Sequence, residues 1–177
     1  MALTLRAFNQ GDVYYINMLL SDPKVTDDLG GPFSNTQSTE KLHDFIEASE
    51  THGYARMAVI QDGEFAGYVG VMHNDTPGHP FGPHDEIGWR LLPSFWGKGI
   101  ALQAARLAVS DSFYRVGLPH VLAYTTASNL RSQAVMTRLG MTRMPDLDFE
   151  EHYPPIGAWK GLVWRISAED HRAGGIE

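Results

Sequence analysis

The sequence contains no cysteine among its 177 residues. This absence excludes a disulfide framework, a thiolate nucleophile and a zinc site with cysteine ligands. No apolar run approaches the roughly eighteen residues that a membrane-spanning helix needs. The N-terminus also lacks the basic segment and apolar run that mark a secretory signal. We therefore expect a cytoplasmic protein that has no membrane partner.

Positive charge is scarce as well. The chain has 14 Lys and Arg residues against 21 Asp and Glu residues, which gives a formal net charge of −7 at pH 7. Because non-specific nucleic-acid binding needs a basic surface, we expect no nucleic-acid partner, whereas an amine or cationic substrate is compatible. Apolar residues make up 43% and charged residues 20%, which is typical of a globular domain.

A glycine-rich turn between a strand and a helix is the most informative feature that is present. Alternation over residues 86–91 predicts the strand, and an alanine-rich helix is predicted to begin at Lys98. Gly97 and Gly99 would let an anion approach the backbone, and the helix N-terminus leaves N–H groups unpaired. The turn therefore predicts a pyrophosphate site, with a plain tight turn as the alternative. It is not a P-loop, because Ile100 stands where that motif needs a hydroxyl.

Two blocks of the sequence resemble the GNAT N-acetyltransferase superfamily. Residues 96–101 are similar to its (Gln/Arg)-x-x-Gly-x-(Gly/Ala) acyl-CoA signature, with Trp96 where Gln or Arg is usual. Residues 129–141 resemble the family's Asn-x-x-Ser helix that ends in Leu-Gly-Phe, with Met141 in place of the Phe. The tryptophan variant is similar to the RimJ/RimL-type branch, whose members acetylate protein N-termini and other amines.

The resemblance covers Leu3 to Ile166 and implies an α+β fold of the three-layer GNAT type. Such a fold has a mixed, mostly antiparallel central sheet with helices on both faces and splayed central strands. The splay would separate the strand that begins at Glu86 from the strand that begins at His120, and the pantetheine arm of acetyl-CoA would pair with backbone in that opening. We expect one acyl-CoA-binding domain over residues 1–168 and a polar, frayed C-terminal tail over residues 169–177.

Acetyl-CoA is the implied co-substrate, and no metal is expected. The resemblance implies contacts to it from the strand end, the glycine turn and the starts of two helices: Leu91, Leu92, Trp96, Gly97, Lys98, Gly99, Ile100, Ala101, Asn129 and Ser132. Strand amides near Leu91 would polarise the thioester carbonyl. We expect the Trp96 side chain itself to pack. Asn129 also fits the purely structural role of a helix N-cap.

Ser132 and Glu86 are the two predicted catalytic residues. Many GNAT enzymes reprotonate the leaving thiolate with a tyrosine; here that position is Met136, and the resemblance to RimL-like members implies Ser132 as the acid. Glu86, on the strand expected to line the cleft, is the candidate general base, and an exposed strand-end carboxylate is the alternative. Four histidines are further candidates for the base, because of their ordinary pKa: His73, His79, His84 and His120.

The predicted function is transfer of an acetyl group from acetyl-CoA to a primary amine by direct attack in a ternary complex. The amine would be a protein N-terminus or a small-molecule amine. Aromatic, flexible segments at 27–33 and 149–159 are expected to select it, and the acidic residues of the second would attract an ammonium group. The alternative is a non-catalytic acyl-CoA-binding sensor or scaffold. The sequence also leaves a homodimer open.

Overall fold

The computed structural model describes residues 2–153 and 157–174. The strands within them are β1 Leu3–Arg6, β2 Met57–Gln61, β3 Glu64–Asn74, β4 His84–Leu91, β5 His120–Thr125, β6 Thr142–Arg143, β7 Phe149–Tyr153 and β8 Gly157–Ser167. The α-helices are α1 Val13–Leu20, α2 Asn35–His52, α3 Ile100–Asp111, α4 Leu130–Arg138 and α5 Ala168–Ala173. None of these helices has the length and apolar character required to cross a membrane.

The strands form one mixed sheet in the order β1-β2-β3-β4-β5-β8-β6, with β7 paired to β8. Every recorded pairing is antiparallel except that of β4 with β5, which is parallel. Within the described residues, β4 and β5 share a single register pair, Glu86 with Leu122. The two strands therefore part beyond that point. The expected mixed sheet with splayed central strands is confirmed.

Helices cover both faces of the sheet, because each strand alternates its side chains between the faces. On one face, Ile87 and Leu91 of β4 pack against α3, which buries Ala104, Ala105 and Ala108. These small residues let α3 lie close to the sheet. On the other face, apolar residues of α1 and α2 pack against β2 and β3: Ile16, Leu19, Leu42, Phe45, Ala58 and Tyr68.

The helix expected from Lys98 begins two residues later, at Ile100. Gly99 precedes it in the left-handed region, with φ +77°, so the chain is still turning at that residue. At the other end α3 continues into a π-helical turn, Ser112–Val116, which Gly117 terminates. Lys98 therefore belongs to the glycine turn and not to the helix.

The segment expected to be a frayed tail is helical where the structure describes it, because Ala168–Ala173 forms α5. The Ser167 side chain accepts a hydrogen bond from the Asp170 N–H, and the Asp170 carboxylate accepts one from the Ser167 N–H. This reciprocal capping box starts the helix. His171 is fully buried, with its Nε2 3.0 Å from the Ser110 hydroxyl of α3. Residues 175–177 of the expected tail lie outside the described residues.

Candidate active site

The glycine turn joins the end of β4 to the start of α3. A short 3-10 segment, Pro93–Phe95, is followed by Gly97 with φ +73° and Gly99 with φ +77°. A Cβ atom at Gly97 would meet nothing within 4 Å, and one at Gly99 would meet only the Gln103 side chain at 3.9 Å. The turn therefore needs glycine for its backbone conformation, and the space in front of it is not filled by neighbouring protein atoms.

The N-terminus of α3 offers backbone N–H groups to that space. Gly99 is the N-cap and makes no side-chain capping bond, and the first helical hydrogen bond runs from Gln103 N–H to the Gly99 carbonyl. The preceding N–H groups carry the positive end of the helix dipole. Ile100 is buried in the core, so only its backbone faces the turn, while Lys98 is exposed. This arrangement suits an anion such as a pyrophosphate.

The backbone groups of Leu91 and Leu92 point in opposite directions. The Leu92 N–H donates to the Ala66 carbonyl of the neighbouring chain segment at 2.9 Å. Because ladder hydrogen bonds alternate along an antiparallel pair, the Leu91 groups point away from β3, toward the opening beside β5. The Leu91 carbonyl accepts a hydrogen bond from the Trp96 Nε1–H at 2.8 Å. Of the two residues, Leu91 presents its N–H to the cleft.

Trp96 packs against two hydrophobic clusters of the domain, one beneath α3 and one beneath α1 and α2, as expected from the sequence. The Arg131 guanidinium stacks over the Trp96 ring, with its carbon 4.6 Å from the ring centre. A cavity of about 380 Å³ adjoins this pair, lined by Pro23, Lys24, Asp27, Trp96 and Arg131. Sequence reasoning missed Arg131, although it stands directly before Ser132.

Asn129 and Ser132 begin α4, as predicted. The Asn129 side-chain oxygen accepts a hydrogen bond from the Ser132 N–H at 3.1 Å, so Asn129 is the N-cap. The Ser132 side chain is half-buried, and its hydroxyl makes no hydrogen bond with any described residue. Met136, at the position of the usual tyrosine, is only 2% exposed and belongs to the core. That position therefore offers no proton to the cleft.

Glu86 is not an isolated strand-end carboxylate. Its Oε1 lies 2.6 Å from Nη2 of Arg56, whose Nη1 also donates to the Glu86 backbone carbonyl at 2.9 Å. Arg56 is only 8% exposed, and it also binds the Gly70 carbonyl. A Cβ atom at Gly88 would lie 2.8 Å from Nη2 of Arg56, so the absence of a side chain there makes room for the guanidinium.

Tyr124 of β5 faces the same carboxylate. Burial raises the pKa of its hydroxyl above the ordinary value, and the charge of Glu86 and a hydrogen bond to Glu86 raise it further. The phenol therefore stays protonated at neutral pH and acts as a donor. The Asn74 side-chain amide donates to the Tyr124 oxygen at 3.3 Å. Glu86 thus pairs with Arg56 and lies near the Tyr124 hydroxyl.

No hydrogen bond or ion pair between described residues joins Ser132 to Glu86. Ser132 lies in the first turn of α4, whereas Glu86 lies within β4, at its one register pair with β5. The two predicted catalytic residues therefore occupy different parts of the cleft region.

Two of the four candidate histidines lie beside charged residues. His73 pairs through Nδ1 with Asp85 at 3.1 Å, and the Tyr54 hydroxyl also donates to Asp85. Burial, and then the charge of Arg165, lower the pKa of His120 at the start of β5. Asp85 therefore already pairs with His73. The surroundings of His120 favour its neutral form over its charged form.

His79 and His84 pack together, with ring centres 4.4 Å apart, and each is 7% exposed. Burial, and then His84, lower the pKa of His79. Both Nε2 atoms are buried without a hydrogen-bond partner among the described residues. His84 shares a face of β4 with Glu86. Within the described chain, no group of three or more His, Asp or Glu side chains is placed to hold a metal ion.

The segments expected to select the acceptor are anchored to the sheet. Asp28 pairs with Arg90 of β4 at 2.7 Å, which ties segment 27–33 to the face that carries Glu86. Asp148 pairs with Arg143 at 2.5 Å, which lowers the pKa of that carboxyl. The Asp148 charge is therefore largely compensated. Segment 149–159 includes residues 154–156, which lie outside the described residues.

Comparison with known proteins identifies the family behind this geometry. The family model described as an acetyltransferase (GNAT) domain matches residues 2–142. The chain belongs to the GNAT acetyltransferase family. This GNAT chain is 30% identical over 147 residues to the FsC-acetyl coenzyme A-N(2)-transacetylase of Aspergillus fumigatus, a match that covers 80% of this chain. It spans 62% of that relative, which is less than two thirds of its length.

Solved GNAT structures share the fold. An acetyltransferase from Agrobacterium tumefaciens str. C58 is 26% identical, with a TM-score of 0.75, and the match covers 93% of this chain and 90% of that one. A spermidine N-acetyltransferase from Vibrio cholerae, solved in complex with CoA and spermine, is 18% identical, with a TM-score of 0.76 over 96% of this chain and 98% of that one. The second likeness shows the fold alone.

Proposed function

We propose that this chain transfers an acetyl group from acetyl-CoA to a primary amine by direct attack in a ternary complex. The observation that carries the proposal is an open glycine turn at the N-terminus of α3, next to a β4 edge that has no recorded register pair with β5 beyond Glu86. Such a site suits a ligand with a pyrophosphate at one end and an extended amide-containing arm. Acetyl-CoA has both parts.

The backbone would bind the co-substrate. The turn at Gly97 and Gly99, with Lys98 between them, would hold the pyrophosphate, and the first turn of α3 from Ile100 would add N–H groups. The Leu91 N–H would bind the thioester carbonyl and stabilise the oxyanion that forms during attack. A donor of this kind typically contributes about 3–4 kcal/mol to transition-state stabilisation. Holding both reactants in one cleft supplies proximity.

Glu86 would accept a proton from the amine, and Ser132 would donate to the thiolate. The Glu86 carboxylate would attract the substrate ammonium and accept its proton, so that the nitrogen lone pair attacks the thioester. Arg56 and Tyr124 would fix the position of that carboxylate. The Ser132 hydroxyl, which binds no other described residue, would donate to the departing thiolate, because Met136 has no proton to give.

The finer assignments also belong to this proposal. We place the chain in the RimJ/RimL-type branch on the strength of Trp96 and the Asn129–Ser132 spacing, and we place it in the cytoplasm as one domain that includes α5. The acceptor would be a protein N-terminus or a small-molecule amine. Support for an amine comes from the neighbours described as spermidine and aminoglycoside acetyltransferases and from the N(2)-transacetylase relative.

A two-part experiment tests this function. Calorimetry with acetyl-CoA measures binding, and thiol release measures turnover across a panel of peptides with free N-termini, polyamines, aminoglycosides and small amines. We expect binding together with turnover of at least one amine class. Tight binding without turnover of any amine would favour the sensor or scaffold alternative, and absence of acetyl-CoA binding would overturn the proposal.

A further inference from the structure

We propose that Arg131 is a phosphate-binding residue for CoA and that stacking on Trp96 positions it for this role. The inference rests on the proposed function, since it assumes that CoA is the ligand. Under this proposal Trp96, which replaces the usual Gln or Arg of the signature, positions Arg131. Arg131, from α4, then provides the cation that an arginine at position 96 would provide.

Trp96 is a fixed platform. Its Nε1–H donates to the Leu91 carbonyl at 2.8 Å, and its side chain packs against two hydrophobic clusters. A ring held by a hydrogen bond and by this packing has little rotational freedom. Trp96 directly precedes Gly97, the first glycine of the turn, in the chain.

The Arg131 guanidinium stacks on the Trp96 ring, and its N–H groups bind no other described residue. Its guanidinium carbon lies 4.6 Å from the centre of the Trp96 ring, within the range of a cation–π contact. Stacking uses the flat face of the guanidinium and leaves the N–H groups at its edge available. None of them makes a hydrogen bond or ion pair with another described residue. The side chain is thus oriented in advance without being consumed by a protein partner.

A second stacked arginine in this chain shows the contrast. Arg143 lies 4.9 Å from the ring centre of Trp164, but its N–H groups bind the Asp148 carboxylate and the Val163 carbonyl. That guanidinium is fully engaged in holding the fold. Arg131 shares the stacking but has no such partner among the described residues. This arrangement leaves its N–H groups available to bind an anion.

The surroundings of Arg131 favour a phosphate. Arg131 and Lys24 both line the cavity of about 380 Å³, which also contains the opposite charge of Asp27. The α3 N-terminus begins four residues after Trp96, at Ile100, and contributes its own dipole. In a chain with a formal charge of −7, the lining of this cavity has two cations and one carboxylate and is therefore net positive. Guanidinium groups match phosphate oxygens in pairs.

The decisive test compares CoA with pantetheine, which lacks the phosphates of CoA together with its adenosine. Binding of CoA and of pantetheine is measured by calorimetry for the wild type and for Arg131→Ala, Arg131→Lys and Trp96→Leu. Arg138→Ala is the matched control, because Arg138 is an exposed arginine at the far end of the same helix. Circular dichroism checks that each variant is folded.

We expect Arg131→Ala to weaken CoA binding about tenfold or more, a loss that rises as salt is lowered, with pantetheine binding unchanged. Arg131→Lys should lose less, Trp96→Leu should lose CoA affinity in the same direction, and Arg138→Ala should match the wild type. Wild-type CoA affinity in folded Arg131→Ala would overturn the inference, and so would an equal loss of pantetheine. Unchanged CoA affinity in Trp96→Leu would overturn the positioning by stacking. A wild type that binds no CoA would instead remove the proposed function itself.

Discussion

The two sides of the cleft are built in different ways. The side assigned to CoA is built mainly from backbone groups of one short segment, residues 91–101, where two glycines and a helix N-terminus follow a strand, and α4 adds the side chains of Arg131 and Ser132. The other side consists of side chains from four separated segments: Arg56 before β2, Asn74 at the end of β3, Glu86 in β4 and Tyr124 in β5. A backbone site tolerates many side-chain changes, whereas the side-chain network depends on each of its members.

Removing Glu86 should change stability and turnover more than any other substitution considered for the two sides. Glu86→Ala would leave the nearly buried Arg56 without its carboxylate, and breaking a buried pair typically costs about 3–5 kcal/mol of unfolding free energy. We also expect kcat to fall by about 10²–10⁴, the usual contribution of a general base. Urea denaturation and steady-state kinetics measure the two effects. Glu86→Gln keeps the hydrogen bond to Arg56, so it should recover much of the stability but little of the rate. Equal rates for Glu86→Gln and the wild type would contradict a catalytic role.

Ser132→Ala should have the next largest effect, and on rate alone. The lost hydroxyl would donate only as the thiolate forms, so kcat should fall by about 10–10³ with little change in KM. The half-buried hydroxyl has no partner in the described structure, so the free energy of unfolding should hardly change. Kinetics under conditions where chemistry limits turnover test this. A wild-type kcat would mean that another group, or water, protonates the thiolate.

A pair of glycine variants separates ligand binding from backbone strain. Gly99 and Gly117 have φ +77° and +83°, and they lie at opposite ends of the α3 region. Alanine in this left-handed region costs about 1–2 kcal/mol at either position. Only Gly99→Ala should also weaken acetyl-CoA binding, by about tenfold, because only that methyl group would enter the anion site. Calorimetry and urea denaturation together distinguish the outcomes, and a matching loss of affinity in Gly117→Ala would argue against the turn as the binding site.

Acidification should lower the free energy of unfolding through two buried histidines that lie outside the glycine turn. Burial lowers the folded-state pKa of His79 and His171, so protons bind more readily to the unfolded chain. Stability from these residues is therefore present above the unfolded pKa of about 6.5 and is lost as the pH falls below it. Urea denaturation between pH 7.5 and 5 should show a modest decline. His79→Gln and His171→Gln should each flatten that decline, and a decline unchanged in both would refute the assignment.

The glycine turn could be predicted from the sequence because its signal is local. Glycine spacing, the preceding strand and the following helix all lie within a dozen residues, so the turn at Gly97 and Gly99 could be inferred without coordinates. The splayed sheet was implied by the resemblance to the GNAT superfamily. The N-cap role of Asn129 was also readable from the residue type and its position. The start of the helix was placed two residues early, because Lys98 is a good helix former and only the backbone angle of Gly99 shows that the turn continues.

The acceptor side could not be predicted in the same way. Arg56 is 30 residues from Glu86 and shows no pattern that links the two. Its position depends on the register of three neighbouring strands. The failure at the C-terminus was of another kind, since Ser167 and Asp170 do form a readable capping-box pattern. The polar composition of the segment outweighed that signal. The anchoring of α5 through His171 then depended on a contact with α3 that only the fold supplies.

Gly88 shapes the side-chain network around Glu86 although it has no side chain of its own. The residue has no side chain to offer, yet the space it leaves is where the Arg56 guanidinium lies. A single methyl group at this position would displace a charge, and with it the carboxylate that the charge holds. An exchange that looks neutral in a sequence comparison would thus redraw the electrostatic field in the cleft. Arg56, Glu86 and Gly88 therefore depend on one another structurally, because the space left at Gly88 fixes where the other two side chains meet.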